Sequence, residues 1–351
     1  MPAMNILVTG ANGFIGQKVT QACKSAGFNV YGTVRSTINK ENFDFIVLPE
    51  SSTCEDWEKV LEEKNIDVAI HLAGRVYPEK NSLREFEISN KDLTLTFAKS
   101  CLNKKVKKFL FLSSLSVYGR FAKGVINLEQ PILPDDNYGK SKWAAEKELN
   151  HIFSSQTQTQ CIIFRLPTVY GPGNHGNLVA LMKMASRGIP LPLGATKGKR
   201  SLIYTGNVCD AILRVIKDAK ATRPSVQTYL VNDGKSMTSK ELYSLICKDF
   251  DRQPALIYFP EFFLRILASI MEIFEKIFSF KSPINNEAVS RLFNECQFDT
   301  EKFCHDYHWS PPFKTEEGLR NMVEWYKMKY QIANPYHSAN NLNQIPNSEN
   351  N

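Results

Sequence analysis

The chain has 351 residues, of which 43% are hydrophobic and 23% are charged, and its formal net charge is +7. This composition is typical of a globular protein with a sizeable core and excludes an intrinsically disordered chain. Lysine and arginine are spread along the sequence, and no nucleic-acid recognition motif is present. The positive net charge suits a nucleic-acid binder or an enzyme that holds diphosphates, and the missing motif disfavours the nucleic-acid binder.

The eight cysteines show neither CxxC spacing nor a cluster with histidine. This pattern predicts reduced, buried thiols, no metal site and a cytoplasmic location. The apolar run at residues 6–8 is too short for a signal peptide.

Short β-rich segments alternate with longer amphipathic segments in the first half of the chain. The pattern predicts strands at residues 5–8, 29–33, 45–48, 68–72, 109–113 and 161–165, and helices at 14–26, 54–63, 85–103 and 140–154. This alternation is typical of a Rossmann-type α/β fold with a doubly wound parallel sheet, which binds its ligand at the carboxyl ends of the strands.

After Tyr170, glycine and proline interrupt the pattern, which predicts loops, a helix at residues 178–186 and a return to the sheet at 227–232. We assign residues 1–170, with about 203–233, to a dinucleotide-binding Rossmann domain. Residues 171–202 and 234–330 are predicted to form a smaller, mostly helical substrate-binding lobe. The tail at 334–351 is rich in Asn and Ser and is predicted to be disordered.

Residues 256–280 are apolar but interrupted by charges. The charges exclude a membrane-spanning helix and recur near helical spacing, which predicts an amphipathic helix. This helix either packs inside the substrate-binding lobe or contacts a membrane surface or a lipid-linked sugar.

A glycine-rich turn follows the first predicted strand. Gly10, Gly13 and Gly16 stand between that strand and a predicted helix. The first can leave the strand sharply, the second lets the backbone approach a pyrophosphate, and the third lets the helix pack closely on the sheet. The helix N-terminus then offers free N–H groups to a phosphate. The spacing favours a dinucleotide site over a purely structural turn.

The end of the second predicted strand bears on the choice between NAD and NADP. An acidic residue there would bind the ribose of NAD, but the chain has Arg35 followed by Ser36. These two residues favour the 2′-phosphate of NADP. Arg35 could instead stack on adenine or point to solvent, so both cofactors stay open.

Tyr138 and Lys142 are four residues apart and share one face of a predicted helix. A neighbouring ammonium lowers the pKa of a phenol, so Tyr138 can take a proton from a substrate hydroxyl while hydride leaves the same carbon. Ser114 ends a buried strand, and its hydroxyl could bind the reacting oxygen with help from Ser116. The alternatives are a surface helix for the Tyr/Lys pair and ordinary strand capping for the serines.

With these motifs, the sequence resembles the extended short-chain dehydrogenase/reductase family, and within it the NAD-dependent epimerase/dehydratase group, over residues 4–330. The resemblance rests on the motifs TGANGFIG at 9–16, HLAG at 71–74, Asn90, SSLSVYG at 113–119, YGKSK at 138–142 and RLPTVYGPG at 165–173. Besides the three glycines, Arg35, Tyr138 and Lys142, it implies these cofactor-binding residues: Asn12, Phe14, Ile15, Leu72, Ala73, Gly74, Asn90, Pro167 and Thr168.

The resemblance also implies a substrate site, with Arg200 at a nucleotide diphosphate and Asn177 at the sugar or its phosphates. Their alternatives are a surface arginine and a helix cap. The implied activity is redox chemistry at C4 of a UDP-sugar in surface-polysaccharide synthesis, by a 4-epimerase or by an NADPH-dependent 4-ketoreductase that makes a UDP-6-deoxy-amino sugar. A homodimer is expected by analogy, and the carrier of the sugar could also be a lipid diphosphate.

Two departures from the family pattern matter. Glu50 and its neighbours follow the third strand, where relatives carry an Asp that contacts adenine, and Ser116–Val117 replaces the Asp–Glu pair of the dehydratases. The second departure disfavours a dehydratase. Outside this activity, the alternatives are a non-catalytic dinucleotide-binding sensor or scaffold, and a dehydrogenase for a steroid or flavonoid-like alcohol.

Overall fold

The computed structural model describes residues 3–36, 45–76, 82–119, 122–155, 158–218, 225–278 and 285–331. The strands in chain order are β1 (Asn5–Thr9), β2 (Asn29–Val34), β3 (Phe45–Val47), β4 (Val68–His71), β5 (Lys108–Ser114), β6 (Gly124–Ile126), β7 (Gln160–Leu166), β8 (Thr168–Tyr170), β9 (Lys199–Tyr204), β10 (Val226–Leu230), β11 (Ser236–Thr238) and β12 (Cys296–Phe298). The tail predicted to be disordered, residues 334–351, lies outside the described residues.

The helices are α1 (Phe14–Ser25), α2 (Cys54–Glu63), α3 (Leu83–Glu87), α4 (Leu93–Asn103), α5 (Asn137–Ser154), α6 (Asn177–Ser186), α7 (Thr205–Lys217), α8 (Ser239–Asp249), α9 (Glu261–Phe278), α10 (Asn286–Phe293), α11 (Glu301–Tyr307) and α12 (Thr315–Lys329). A π-helical turn, Ile88–Asp92, joins α3 to α4, and a 3₁₀ turn, Leu115–Tyr118, follows β5. Within the described ranges, none of these helices has the length and apolar character needed to cross a membrane.

A seven-stranded parallel sheet, in the order β10-β7-β5-β4-β1-β2-β3, forms the core of the molecule. Alternate residues of β5 serve its two faces, as the two-residue period of a strand requires. Phe109 and Phe111 pack with α4 and α5 on one face, whereas Leu110 and Leu112 pack with α1 and α7 on the other. Because both faces are covered, the strands are almost entirely apolar. The predicted Rossmann-type α/β fold is confirmed.

A second, smaller sheet has the order β11-β9-β12-β6, with β8 paired to β9. Four of these five strands have only three residues, which is too short for a recognisable alternation. Helices α6, α8 and α12 pack beside it around a cluster that includes Tyr243 and Met322. The predicted mostly helical C-terminal part therefore also contains short strands that the sequence analysis did not predict.

Candidate active site

The glycine-rich turn has the backbone that its sequence predicts. Gly10 leaves β1 with φ +64°, and a Cβ there would lie 2.9 Å from the Ala73 Cα. A Cβ on Gly16 would lie 2.1 Å from the Gly10 carbonyl oxygen. Gly13 occupies the N-cap position of α1 and has no side chain to cover the first N–H groups of the helix. The turn is therefore open to an anion at a helix N-terminus.

A cavity of about 120 Å³ lies beside this turn at the carboxyl edge of the sheet. Seven of the residues predicted to bind the cofactor line it: Gly10, Asn12, Gly13, Arg35, Leu72, Ala73 and Gly74. The sequence analysis did not predict five further lining residues: Thr33, Val34, Leu48, Trp57 and Leu93. The Trp57 indole N–H is buried and finds no acceptor among the described residues. A cavity of mixed polar and apolar lining, next to a phosphate-binding turn, fits a dinucleotide with its adenine end inside.

Arg35, at the rim of this cavity, is paired with an acid. Its Nη1 lies 2.6 Å from Glu50 Oε1, and Ser89 Oγ donates to the same oxygen at 3.0 Å. Partial burial raises the pKa of Glu50, but the hydrogen bonds and charge of Arg35, the Ser89 hydroxyl and the charge of Arg75 outweigh it and hold the pKa below its usual value. Glu50 is therefore ionised at neutral pH and offsets the charge of Arg35.

A buried histidine fixes the backbone that lines the cavity. His71 Nδ1 lies 2.8 Å from Thr9 Oγ1, which also accepts from the backbone N–H groups of Leu72 and Ala73. On the other side, His71 Nε2 lies 2.9 Å from Thr94 Oγ1. Burial, with the nearby positive charge of Lys142, lowers the pKa of His71 to about 3. The ring is therefore neutral and acts as a structural link between strands and helix.

That link also assigns the tautomer of His71. The Thr94 hydroxyl donates to the Asn90 carbonyl at 2.7 Å, so it accepts from the ring at Nε2. The Thr9 hydroxyl then donates to the ring at Nδ1, while it accepts from the backbone. The proton is therefore assigned to Nε2 from the hydrogen-bond network.

Asn90 lies in the π-helical turn between α3 and α4 and is completely buried. Its Oδ1 accepts from the Arg75 N–H at 2.7 Å, and its Nδ2 donates to the Arg75 carbonyl and to Ser141 Oγ. The amide thus joins the loop that follows β4 to helix α5. Single π turns occur often at functional sites, and this one holds the Gly74 loop in place.

Lys142 extends from α5 to the edge of the cavity. Its Nζ donates to the Leu112 carbonyl at 2.9 Å and would lie 3.5 Å from a Cβ on Gly74. Burial lowers the pKa of Lys142 to about 8, partly opposed by the negative charge of Glu146. The ammonium therefore lies between the cavity and the end of β5, and it is still largely protonated at neutral pH.

A buried ion pair between Glu146 and Arg165 lies next to this lysine. Glu146, one helical turn after Lys142, is completely buried and accepts from Arg165 Nε at 3.0 Å and Nη2 at 2.7 Å. It also accepts from the Ser113 hydroxyl, and Arg165 Nη1 donates to the Tyr118 hydroxyl at 2.6 Å. This network was not predicted from the sequence. A signal was present, because an arginine at the end of an apolar strand requires a buried partner.

Helix α5 also brings Tyr138 towards the serines. Its side chain is half-buried in the first turn of α5, with its ring 6.3 Å from the Phe86 ring. A Cβ on Gly139 would lie 2.3 Å from the Ser116 carbonyl oxygen, so only glycine lets the helix pack this closely on the 3₁₀ turn. Ser114 Oγ accepts from the Ser116 N–H at 3.2 Å and donates to Ser116 Oγ at 3.3 Å. Two hydroxyls therefore lie beside the helix turn that carries Tyr138.

The other predicted site residues lie around this centre. Phe14 and Ile15 open α1, and both are half-buried. Leu166 is paired with Ser114, so Pro167 and the exposed Thr168 leave the sheet at the same edge as the serines.

The two residues predicted to bind the substrate diphosphate and sugar lie further along the chain. Arg200 is two residues before Leu202, which pairs with Thr168, so the start of β9 lies near this edge of the sheet. Asn177 is the exposed first residue of α6, and Gly176 occupies the N-cap. The predicted helix-cap alternative for Asn177 is therefore wrong. Over the described ranges, no group of three His, Cys, Asp or Glu side chains could hold a metal ion.

Comparisons with known proteins place the whole chain beside sugar epimerases. The model of the NAD dependent epimerase/dehydratase family matches residues 6–230. A UDP-glucose 4-epimerase of Vibrio cholerae is 30% identical over 328 residues, which cover 91% of this chain and 94% of that protein. An N-acetyl-alpha-D-glucosaminyl-diphospho-ditrans,octacis-undecaprenol 4-epimerase of Escherichia coli O157:H7 is 24% identical over 92% of this chain and 95% of its own. The crystal structure of a Bacillus cereus UDP-N-acetylglucosamine 4-epimerase has a TM-score of 0.72 at 20% identity and covers 92% of this chain and 99% of that one.

Proposed function

Because the chain belongs to the NAD dependent epimerase/dehydratase family, we propose that it is a UDP-sugar 4-epimerase that uses tightly held NAD. The proposal rests on one juxtaposition. The Lys142 ammonium lies between Gly74, which lines the cavity, and the end of the strand that carries Ser114. One buried charge thus lies beside the loop that lines the cavity and beside the strand that ends in Ser114. Two of the similar proteins are named as UDP-sugar 4-epimerases, which supports the same reaction.

The chemistry follows from the residues at this edge of the sheet. NAD, when bound, would supply the hydride acceptor for C4 of the sugar and the hydride donor for the return step. Tyr138 takes the proton from the C4 hydroxyl, and the ammonium of Lys142 favours its phenolate. Ser114 holds the reacting oxygen, with Ser116 beside it. In the return step Tyr138 gives the proton back. The product differs from the substrate only if the sugar ring has rotated in between, so that its opposite face receives the hydride.

The remaining predicted residues have supporting roles in this proposal. The turn around Gly13 holds the pyrophosphate of the cofactor, and Pro167 and Thr168 border its nicotinamide. Arg200 binds the diphosphate of the substrate, since a guanidinium suits such an anion. Asn177 contacts the sugar or its phosphates. The assignment of the C-terminal helices to a substrate-binding lobe, and a homodimer through α4 and α5, also stay predictions.

The cofactor is proposed to be NAD and not NADP. The sequence favoured NADP because Arg35 could bind a 2′-phosphate. In the structure Arg35 is paired with Glu50, and an ionised carboxylate there repels a phosphate dianion while it can accept from a ribose hydroxyl. Glu50, which follows the third strand, therefore supplies the acid that is missing after the second. This observation disfavours the NADPH-dependent 4-ketoreductase.

The experiment is an interconversion assay on purified protein with UDP-glucose, UDP-galactose and their N-acetyl forms, without added reductant. We expect at least one pair to interconvert with no net consumption of NADH. Tyr138→Phe should lower kcat by about 10²–10⁴-fold and leave NAD bound. Tyr31→Phe, a change of the same kind on β2, is the matched control and should retain activity.

Two results would contradict the proposal. Consumption of NADPH with a 4-keto sugar, without any interconversion, would identify a reductase. An unchanged biological function in Tyr138→Phe would instead support a cofactor-binding sensor or scaffold.

A further inference from the structure

Helix α9 exposes a continuous apolar face. Seven large side chains on it are between 38% and 68% exposed: Phe262, Phe263, Ile266, Leu267, Ile270, Ile273 and Phe274. At 3.6 residues per turn, these positions cover an arc of about 140°. Among residues 261–274 of α9, whose side chains the structure describes, Ser269 is the one exposed polar residue near the edge of that arc. A monomer in water rarely exposes so many large apolar side chains side by side.

The opposite side of α9 packs against α10. Leu264 and Ala268 are buried against Val289 of α10. The polar residues are paired locally, because Glu261 accepts from Arg265 at 2.6 Å and Glu272 accepts from the backbone N–H of Asn286 at 2.8 Å. The α9–α10 pair therefore holds the helix in one orientation, with its apolar face outward. The apolar face of α9 therefore belongs to a helix that is packed against its neighbour, and not to a frayed helix end.

Positive charge lies next to this helix pair. The segment before α9 is hydrogen-bonded to a neighbouring loop, with Leu191 accepting from the Ile257 N–H at 2.9 Å. That loop continues to the exposed Lys197 and Lys199. Between these two lysines, a Cβ on Gly198 would lie 2.1 Å from the carbonyl oxygen of Phe293, at the end of α10. Two exposed ammonium groups therefore flank the point at which the loop touches the α9–α10 pair.

We propose that α9 lies in the plane of a membrane surface that contains anionic phospholipid. Phenylalanine, isoleucine and leucine on one face suit the boundary between head groups and acyl chains, and lysines next to the helix pair suit anionic head groups. A second copy of the chain fits less well, because the seven apolar side chains of that face offer no acid to pair with these lysines. The sequence of residues 334–351 is rich in Asn and Ser and contains too few large apolar side chains to cover the apolar face of α9. This inference does not depend on the proposed reaction.

The test is co-sedimentation of the full chain with phosphatidylcholine vesicles prepared with and without phosphatidylglycerol. We expect binding that is stronger with phosphatidylglycerol and weaker at high salt. The variant Phe262→Gln/Phe263→Gln/Ile273→Gln should bind at least tenfold more weakly, with a normal thermal midpoint. The variant Lys197→Gln/Lys199→Gln should lose about fivefold per charge on the anionic vesicles alone.

A matched control removes apolar surface elsewhere. Val125→Gln/Met328→Gln changes two side chains that are 58% and 74% exposed on other elements, and it should bind like the wild type. The proposal is overturned if the wild type does not sediment with either vesicle, or if the triple variant sediments as well as the control. It is equally overturned if analytical ultracentrifugation shows a dimer for the wild type and a monomer for the triple variant, while the wild type does not bind vesicles. If the triple variant does not fold, Phe262→Gln alone should still weaken binding about threefold.

Discussion

Glu146→Gln removes the charge from the buried acid beneath Lys142 and leaves its shape. The wild-type carboxylate accepts three charge-assisted contacts from Arg165, at 2.7, 3.0 and 3.2 Å, and one hydrogen bond from Ser113. Removing one partner of such a pair leaves a buried cation, which lowers the free energy of unfolding by about 3–5 kcal/mol. Glutamine keeps one acceptor oxygen, so we expect a loss of about 3 kcal/mol, near the lower end of that range.

Glu146→Gln should also change the pH dependence of the reaction. The negative charge of Glu146 raises the pKa of Lys142 against the effect of burial, so its removal lowers that pKa below about 8. The ammonium is then lost at a lower pH. The alkaline limb of kcat/KM should therefore move to lower pH, whereas a purely structural defect would lower activity without moving the limb.

The measurements are chemical denaturation and a pH–rate profile, with Glu148→Gln as control. Glu148 is an exposed acid on the same helix, and its change should stay within about 0.5 kcal/mol of the wild type. A denaturation midpoint equal to that of the wild type would refute the ion-pair reasoning. An unmoved alkaline limb in a destabilised protein would leave Glu146 with a structural role only.

Three further changes test other parts of the site. Glu50→Gln should raise the affinity for NADPH relative to NADH about tenfold, since it removes a negative charge near the 2′-phosphate; an unchanged ratio in a fluorescence titration would contradict this role. Gly10→Ala places a Cβ 2.9 Å from the Ala73 backbone at φ +64°, so NAD binding measured by calorimetry should weaken at least tenfold. For Lys142, the pKa falls from 10.5 in the unfolded chain to about 8 in the fold, so the unfolded state holds the proton longer and the free energy of unfolding rises with pH between these values. Lys142→Met should remove that rise in denaturation curves recorded across the window, and a slope that persists would mean that another group causes it.

Most of the central sheet was predictable from the sequence because its strands are apolar and bounded by glycine or polar turns. The helix predicted at 54–63 has those bounds, and the strands agree within about two residues. The helix predicted at 85–103 is instead divided by a π turn at Ile88–Asp92. Asn90 explains the difference, since its amide bonds to Arg75 and Ser141. Such distant partners leave no trace in local periodicity.

We propose NAD, where the sequence favoured NADP, for a related reason. Local sequence places Arg35 at the end of β2, but its partner is 15 residues further on, beyond β3. Only the parallel pairing of β2 with β3 brings Glu50 next to it. The Glu146–Arg165 pair was missed in the same way, because the two residues belong to different elements and meet only when α5 packs on the sheet.

The buried position of Lys142 costs free energy and therefore indicates a functional role for its ammonium. Its ammonium touches the Leu112 carbonyl and the Phe111 ring, 4.5 Å away, where methionine would pack without a charge. Water would screen the same charge at the surface, and it would then act weakly on a phenol one helical turn away. Burial lowers its pKa to about 8, which still leaves the ammonium dominant at neutral pH because Glu146 opposes the shift. The ion pair with Arg165 holds that acid in place, so the charge at the cavity depends on a network that begins on β7. Strong perturbation of one buried lysine beside a cavity is therefore the physical feature that favours a catalytic protein over a cofactor-binding scaffold.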